Sequence, residues 1–73
     1  MSTAELKHFC ETVSRLRQEY RLTKTEMSKI LGISVSSLNK LENGVIPRIS
    51  SEIVYRMMDY FRLTAEEVFG DRA

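Results

Sequence analysis

Apolar residues recur at steps of three and four through the first part of the chain, at Leu6, Phe9, Cys10, Val13, Leu16 and Tyr20. That spacing gathers side chains on one face of an α-helix, so the segment predicts a first helix with these residues turned toward a core. Ser2 followed by Glu5 fits a capping box at its start, in which a hydroxyl and a carboxylate satisfy backbone N–H groups that the helix leaves open. The same signature recurs as Thr23 with Glu26, before Met27, Ile30 and Leu31, and as Thr64 with Glu67, before Val68 and Phe69. Three helix starts are thereby marked. Gly32 is expected to stop the second helix, because glycine takes the left-handed conformation without a Cβ penalty. Ser34 can cap the next, which runs through Leu38 and Leu41 and should end near Asn43 and Gly44.

The only proline, Pro47, lies between Val45 and Ile49 and predicts a loop there, since it lacks an N–H and disfavours helix for the residue before it. Ser50 or Ser51 then caps a fourth helix with the apolar face Ile53, Val54, Met57, Met58 and Phe61, and with Glu52 favourably placed in the first turn. Nothing alternates with period two, so no strand is expected, and no internal repeat, low-complexity stretch or linker divides the chain. The pattern predicts five helices, two of them short, in one all-α domain over residues 1–73.

Composition narrows the function classes. A chain of 73 residues, 42% hydrophobic and 29% charged, suits one small domain and excludes a two-domain enzyme. A single core of this size supplies about 3 to 5 kcal/mol, which small proteins supplement with disulfides, metals, oligomerisation or tight helix packing. Cys10 is the only cysteine, so no intrachain disulfide can form. His8, the only histidine, stands two positions from it, roughly 200° away around a helix, so no metal framework is expected. Neither paired carboxylates nor a nucleophile beside a base is visible; the expectation is a non-enzyme without cofactor. With no basic region leading into a long apolar run, and no stretch near about 18 apolar residues, neither signal peptide nor membrane span is expected and the cytoplasm is the expected location.

The formal net charge of +1 gives no reason by itself to invoke nucleic acid. Its distribution says more. Met1 to Ser14 carries −1 and Ile49 to Ala73 carries −2, whereas Arg15, Arg17, Arg21, Lys24, Lys29, Lys40 and Arg48 outnumber Glu19, Glu26 and Glu42 between them, for +4. The middle of the chain is basic, as a solvated surface or a polyanion-binding face would be.

Lys24 to Leu41 meets the demands of two short helices joined by a tight turn. Met27, Leu31, Ile33, Leu38 and Leu41 supply buried contacts, Ser28 is small where the helices approach, and Gly32 turns the chain. Here the string LTKTEMSKILGIS followed by SLNKLENG resembles the lambda-repressor and Cro type of helix-turn-helix domain, the XRE-like family of bacterial and phage regulators. The resemblance covers about Leu16 to Phe69 and implies a compact five-helix, lambda-repressor-like DNA-binding domain with the helix-turn-helix at helices two and three.

It also implies roles. In this family the helix beginning near Ser34 enters the major groove of double-stranded DNA while the preceding helix crosses the phosphates. Val35, Ser36, Asn39 and Lys40 are then the candidate base readers, with Ser34 and Ser37 at the groove wall. Asn39 suits adenine, Lys40 guanine acceptors, Val35 a thymine methyl, and Ser36 several edges. Lys24 occupies a position where the family usually has glutamine, and a lysine there fits a phosphate; Asn43, the Gly44 backbone and Arg48 are further phosphate candidates. Arg17 and Glu42 match a pair that commonly forms an internal ion pair in the family. The side chains at Val35, Ser36 and Asn39 are shorter than the family's usual long polar ones, a departure that fits modest specificity, more reliance on DNA shape, or a surface that contacts protein instead.

Val45, Ile46, Tyr55, Tyr60, Val68 and Phe69 are left over from the core pattern and offer either further core or an association surface. No further oligomerisation domain is expected after Ala73, so a homodimer is expected to form through this domain, reading half-sites about 34 to 36 Å apart or a multiple. The sequence therefore predicts a repressor-like, sequence-specific regulator, with no membrane partner and no small-molecule effector expected in this domain. A protein-interaction module or antitoxin-like subunit on the same scaffold is the alternative.

Overall fold

The computed structural model describes residues 3–45 and 49–69, and these fold into five helices. They are α1 (Thr3–Glu19), α2 (Lys24–Leu31), α3 (Val35–Glu42), α4 (Ser51–Phe61) and α5 (Ala65–Phe69). There is no strand among the described residues. The starts of α2, α4 and α5 have local causes. Thr23 Oγ1 accepts from the Glu26 N–H at 3.1 Å, and Glu26 Oε1 accepts from the Thr23 N–H at 2.8 Å, closing the capping box of α2. Thr64 and Glu67 repeat this reciprocal pair before α5 at 3.2 and 3.0 Å. Of the two serines, Ser50 is the cap of α4, its hydroxyl accepting from the Ile53 N–H. The box at Ser2 and the loop at Ile46, Pro47 and Arg48 lie outside the described residues.

α1 packs on α3 and α5, α2 packs on α3 and α4, and α4 on α5. The core between them is Phe9, Cys10, Val13 and Leu16 from α1, Met27 and Leu31 from α2, Leu38 and Leu41 from α3, Val54, Met57 and Phe61 from α4, and Val68 from α5. Ile33 and Met58 are half-buried at its edge. Val68 and Phe69 belong to this interior: Val68 is fully buried and the Phe69 ring stacks on Phe9 at 6.0 Å. Thr12 is buried too, and its hydroxyl donates to the His8 carbonyl at 2.8 Å.

Tyr20 corrects the periodicity. It was expected on the core face, yet it is 55% exposed, because α1 ends at Glu19 and the chain turns away through Arg21 in the left-handed region, φ 52°. The ring instead covers the outside of Phe61, edge to face at 5.0 Å. Cys10 is core, and burial, followed by the neighbouring Glu11, raises its thiol pKa above the usual range, which disfavours the nucleophilic thiolate. Among the described residues no helix is long and apolar enough to cross a membrane.

Candidate nucleic-acid interface

The turn between α2 and α3 is built by Gly32 at φ 71°, with its N–H bonded to the Lys29 carbonyl and the Ile33 N–H to the Ser28 carbonyl at 2.9 Å. This arrangement satisfies the last carbonyls of α2 and swings the chain steeply into α3. A side chain at Gly32 would be strained by the left-handed backbone, and the Arg56 guanidinium that α4 lays across the turn, 3.0 Å from the Cβ position, would have to shift. Ser28, buried where α2 meets its neighbours, donates its hydroxyl back to the Thr25 carbonyl and so leaves no polar group unpaired.

α3 starts at Ser34, whose hydroxyl accepts from the Ser37 N–H at 3.1 Å and donates to the Ser37 hydroxyl at 3.0 Å. One side of the helix, Leu38 and Leu41, is fully buried. Val35, Ser36, Asn39 and Lys40 fall on the other side, within an arc of about 140° at roughly 100° per residue. Val35 is 37% exposed, Ser36 and Lys40 are exposed, and Asn39 is half-buried. Lys40 and Ser36 have no bonded side-chain partner among the described residues. Asn39 has one: its Oδ1 accepts from Nζ of Lys24, at the first position of α2.

Behind α3, Arg17 Nε donates to Glu42 Oε2 at 2.7 Å and Nη2 to Oε1 at 3.1 Å, while Nη1 donates to the Leu22 carbonyl at 3.2 Å. The two side chains are only 18% and 7% exposed. A two-pronged, largely buried pair fixes the angle between α1 and the end of α3 and takes the charge of Glu42 out of the basic face. Asn43 and Gly44 follow, both exposed, Gly44 at φ 71° with its N–H on the Leu41 carbonyl. Arg48 lies outside the described residues.

A helix-turn-helix family model matches residues 13–68, from the middle of α1 into α5. The chain belongs to the Cro/C1-type helix-turn-helix family. No curated protein and no solved structure matches it. As a member of the helix-turn-helix family, it is a DNA-binding domain of the kind found in transcription regulators, a regulatory rather than enzymatic class. No group of three potential metal-ligating side chains occurs among the described residues.

Within the helix-turn-helix unit, sequence reasoning missed two features. One is the bond from Lys24 to Asn39, and the other is the Arg56 guanidinium over Gly32. Neither has a local sequence signal. Both depend on the crossing angles of helices that meet only in the folded chain.

Proposed function

We propose that the domain binds double-stranded DNA sequence-specifically as a repressor-like regulator, with α3 lying in the major groove. The observation that supports this most is the two-sidedness of α3. Its inner side chains are wholly buried, whereas Val35, Ser36, Asn39 and Lys40 form one outward polar face whose only formal charge is positive. In this reading those four residues meet base edges, Ser34 and Ser37 meet the groove wall, and Lys24, Asn43, the Gly44 backbone and Arg48 lie along the phosphates. Glu42 does not repel the phosphates, because Arg17 neutralises it inside the fold.

Affinity for duplex DNA should fall linearly on a log scale with salt, by about 0.9 per phosphate contact. A partner bound through apolar surface would show no such slope, and a flat response would move the function to protein recognition. Lys40→Ala should cost about 1 to 3 kcal/mol of DNA affinity and relax preference at one base pair. An equal loss on every sequence, measured by titrating single-base variants of a bound site, would remove Lys40 from base readout.

The proposal includes a two-fold homodimer. Tyr55 and Tyr60 are 69% and 57% exposed, and Asp59 and the cap residue Arg62 stand exposed near them, whereas Glu52 and Arg56 already pair with each other at 3.1 Å. A second copy running antiparallel sets Asp59 against the partner's Arg62, with tyrosine between. Sedimentation of the free protein and of the protein on DNA tests this, and a monomer in both would exclude it.

A further inference from the structure

Lys24 opens α2, and Asn39 lies in the middle of α3, fifteen positions later. The steep turn at Gly32 brings them together on the outward side, where Lys24 Nζ donates to Asn39 Oδ1. An ammonium group has donors only, and a carboxamide has an acceptor end and a donor end. The amide of Asn39 is therefore oriented: Oδ1 faces Lys24, and the Nδ2 hydrogens have no partner among the described residues.

We propose that Lys24 is a specificity-determining positioning residue, turning Asn39 into a hydrogen-bond donor that selects guanine over adenine at one base pair. The inference rests on the reading that α3 enters the major groove. An unconstrained asparagine suits adenine, because its Oδ1 accepts from N6 while its Nδ2 donates to N7. Here Oδ1 already faces a cation. An incoming N6 amino group would bring its hydrogens toward the ammonium hydrogens. Guanine presents O6 and N7, two adjacent acceptors with no donor beside them, and these match the hydrogens that Asn39 Nδ2 keeps free. The positive charge adds to the preference, since those two atoms are the electron-rich edge of the groove. Thymine O4 offers one acceptor and ranks below guanine.

This differs from a phosphate clamp in its consequence. A lysine that only holds phosphate weakens every sequence alike when removed, whereas a lysine that orients Asn39 changes the ranking of sequences.

The test selects duplex sites from a random pool with the unaltered chain, Lys24→Met, Lys24→Arg and Asn39→Ala, then measures affinities for single-base variants of the selected site. The unaltered chain should prefer guanine over adenine by about five- to a hundredfold at one position, the range of one good paired contact. Asn39→Ala should lose that preference. Lys24→Met should lose it or shift it to adenine at the same position while other positions keep theirs, and Lys24→Arg should retain guanine. In the Asn39→Ala background, Lys24→Met should change no base preference. The proposal is overturned if Lys24→Met lowers all affinities in proportion with guanine still preferred, if the unaltered chain prefers adenine there, or if Asn39→Ala leaves every preference intact. A pool that yields no enriched sequence would defeat the groove reading itself, and this proposal with it.

Discussion

Two junctions in this domain share one local vocabulary. Arg21-Leu22-Thr23 leads α1 into α2, and Arg62-Leu63-Thr64 leads α4 into α5. In both, the arginine is left-handed, at φ 52° and 57°. Both leucine N–H groups bond at 2.9 Å to the carbonyl five residues back, Arg17 and Met58, and both leucine side chains pack on the core. Both threonines exchange hydrogen bonds with a glutamate three positions on. The junctions part company just beyond the shared words. The first helical position is Lys24 in one and Ala65 in the other, and only at the first does an arginine, Arg17, link the junction carbonyl at Leu22 to a carboxylate on α3. Local sequence thus sets where helices stop and start. The positions this vocabulary leaves open decide what the next helix does.

Changes that treat the two junctions differently test that division, and the largest effect belongs to Arg17. Arg17→Met strands Glu42, which is almost buried, and should cost about 3 kcal/mol in urea unfolding. The double change Arg17→Met with Glu42→Leu should recover most of it, because the cost lies in the unpaired charge. If the double variant is no better than the single one, the pair's role is packing. A smaller effect should appear equally at both junctions. Arg21→Gly and Arg62→Gly each relieve a left-handed backbone and should each stabilise the fold by about 1 kcal/mol, independently of each other. A loss at either site would show that its arginine side chain contributes more than its backbone costs.

The smallest effect is a pH dependence at the first junction. The Thr23 backbone N–H, and after it the Thr23 hydroxyl, hold the Glu26 carboxyl below the ordinary carboxylate range, with Lys29 adding in the same direction. A folded-state pKa below the unfolded one means that the cap contributes fully above the unfolded value of about 4.3 and is lost as pH falls through the folded value. Carboxyl-detected NMR titration should give Glu26 a midpoint below that value, and Glu26→Gln should keep the cap while removing this part of the pH dependence. A midpoint at or above the ordinary value would contradict the reciprocal bond.

Much of the architecture was legible because its signals are short-range. The caps at Thr23, Ser34 and Thr64 and the stop at Gly32 each act over a few residues, and each is found in the fold. The stops of α1 and α4 were not legible, since arginine carries no left-handed preference, and Tyr20 was misplaced as a result. The one signal available was the recurrence of Arg-Leu-Thr itself, a repeat too short to register as one. Ser50 and Ser51 were equivalent candidates until the first turn chose Ser50. At the candidate interface, the outward position of Val35, Ser36 and Lys40 follows from helical period once Leu38 and Leu41 are inward. The Lys24 to Asn39 bond does not, because it depends on the angle at which two helices cross.

If the outward face of α3 reads duplex DNA, its backbone amides must respond to the duplex. An amide-resolved NMR titration of labelled protein with mixed-sequence duplex, at low and then higher salt, tests it most directly. Salt-sensitive shifts confined to Lys24, Ser34 through Lys40, Asn43, Gly44 and Arg48 are the predicted result. Silence on that face, or shifts scattered without regard to it, would contradict the account and turn the search toward a protein partner on the outer side of α4.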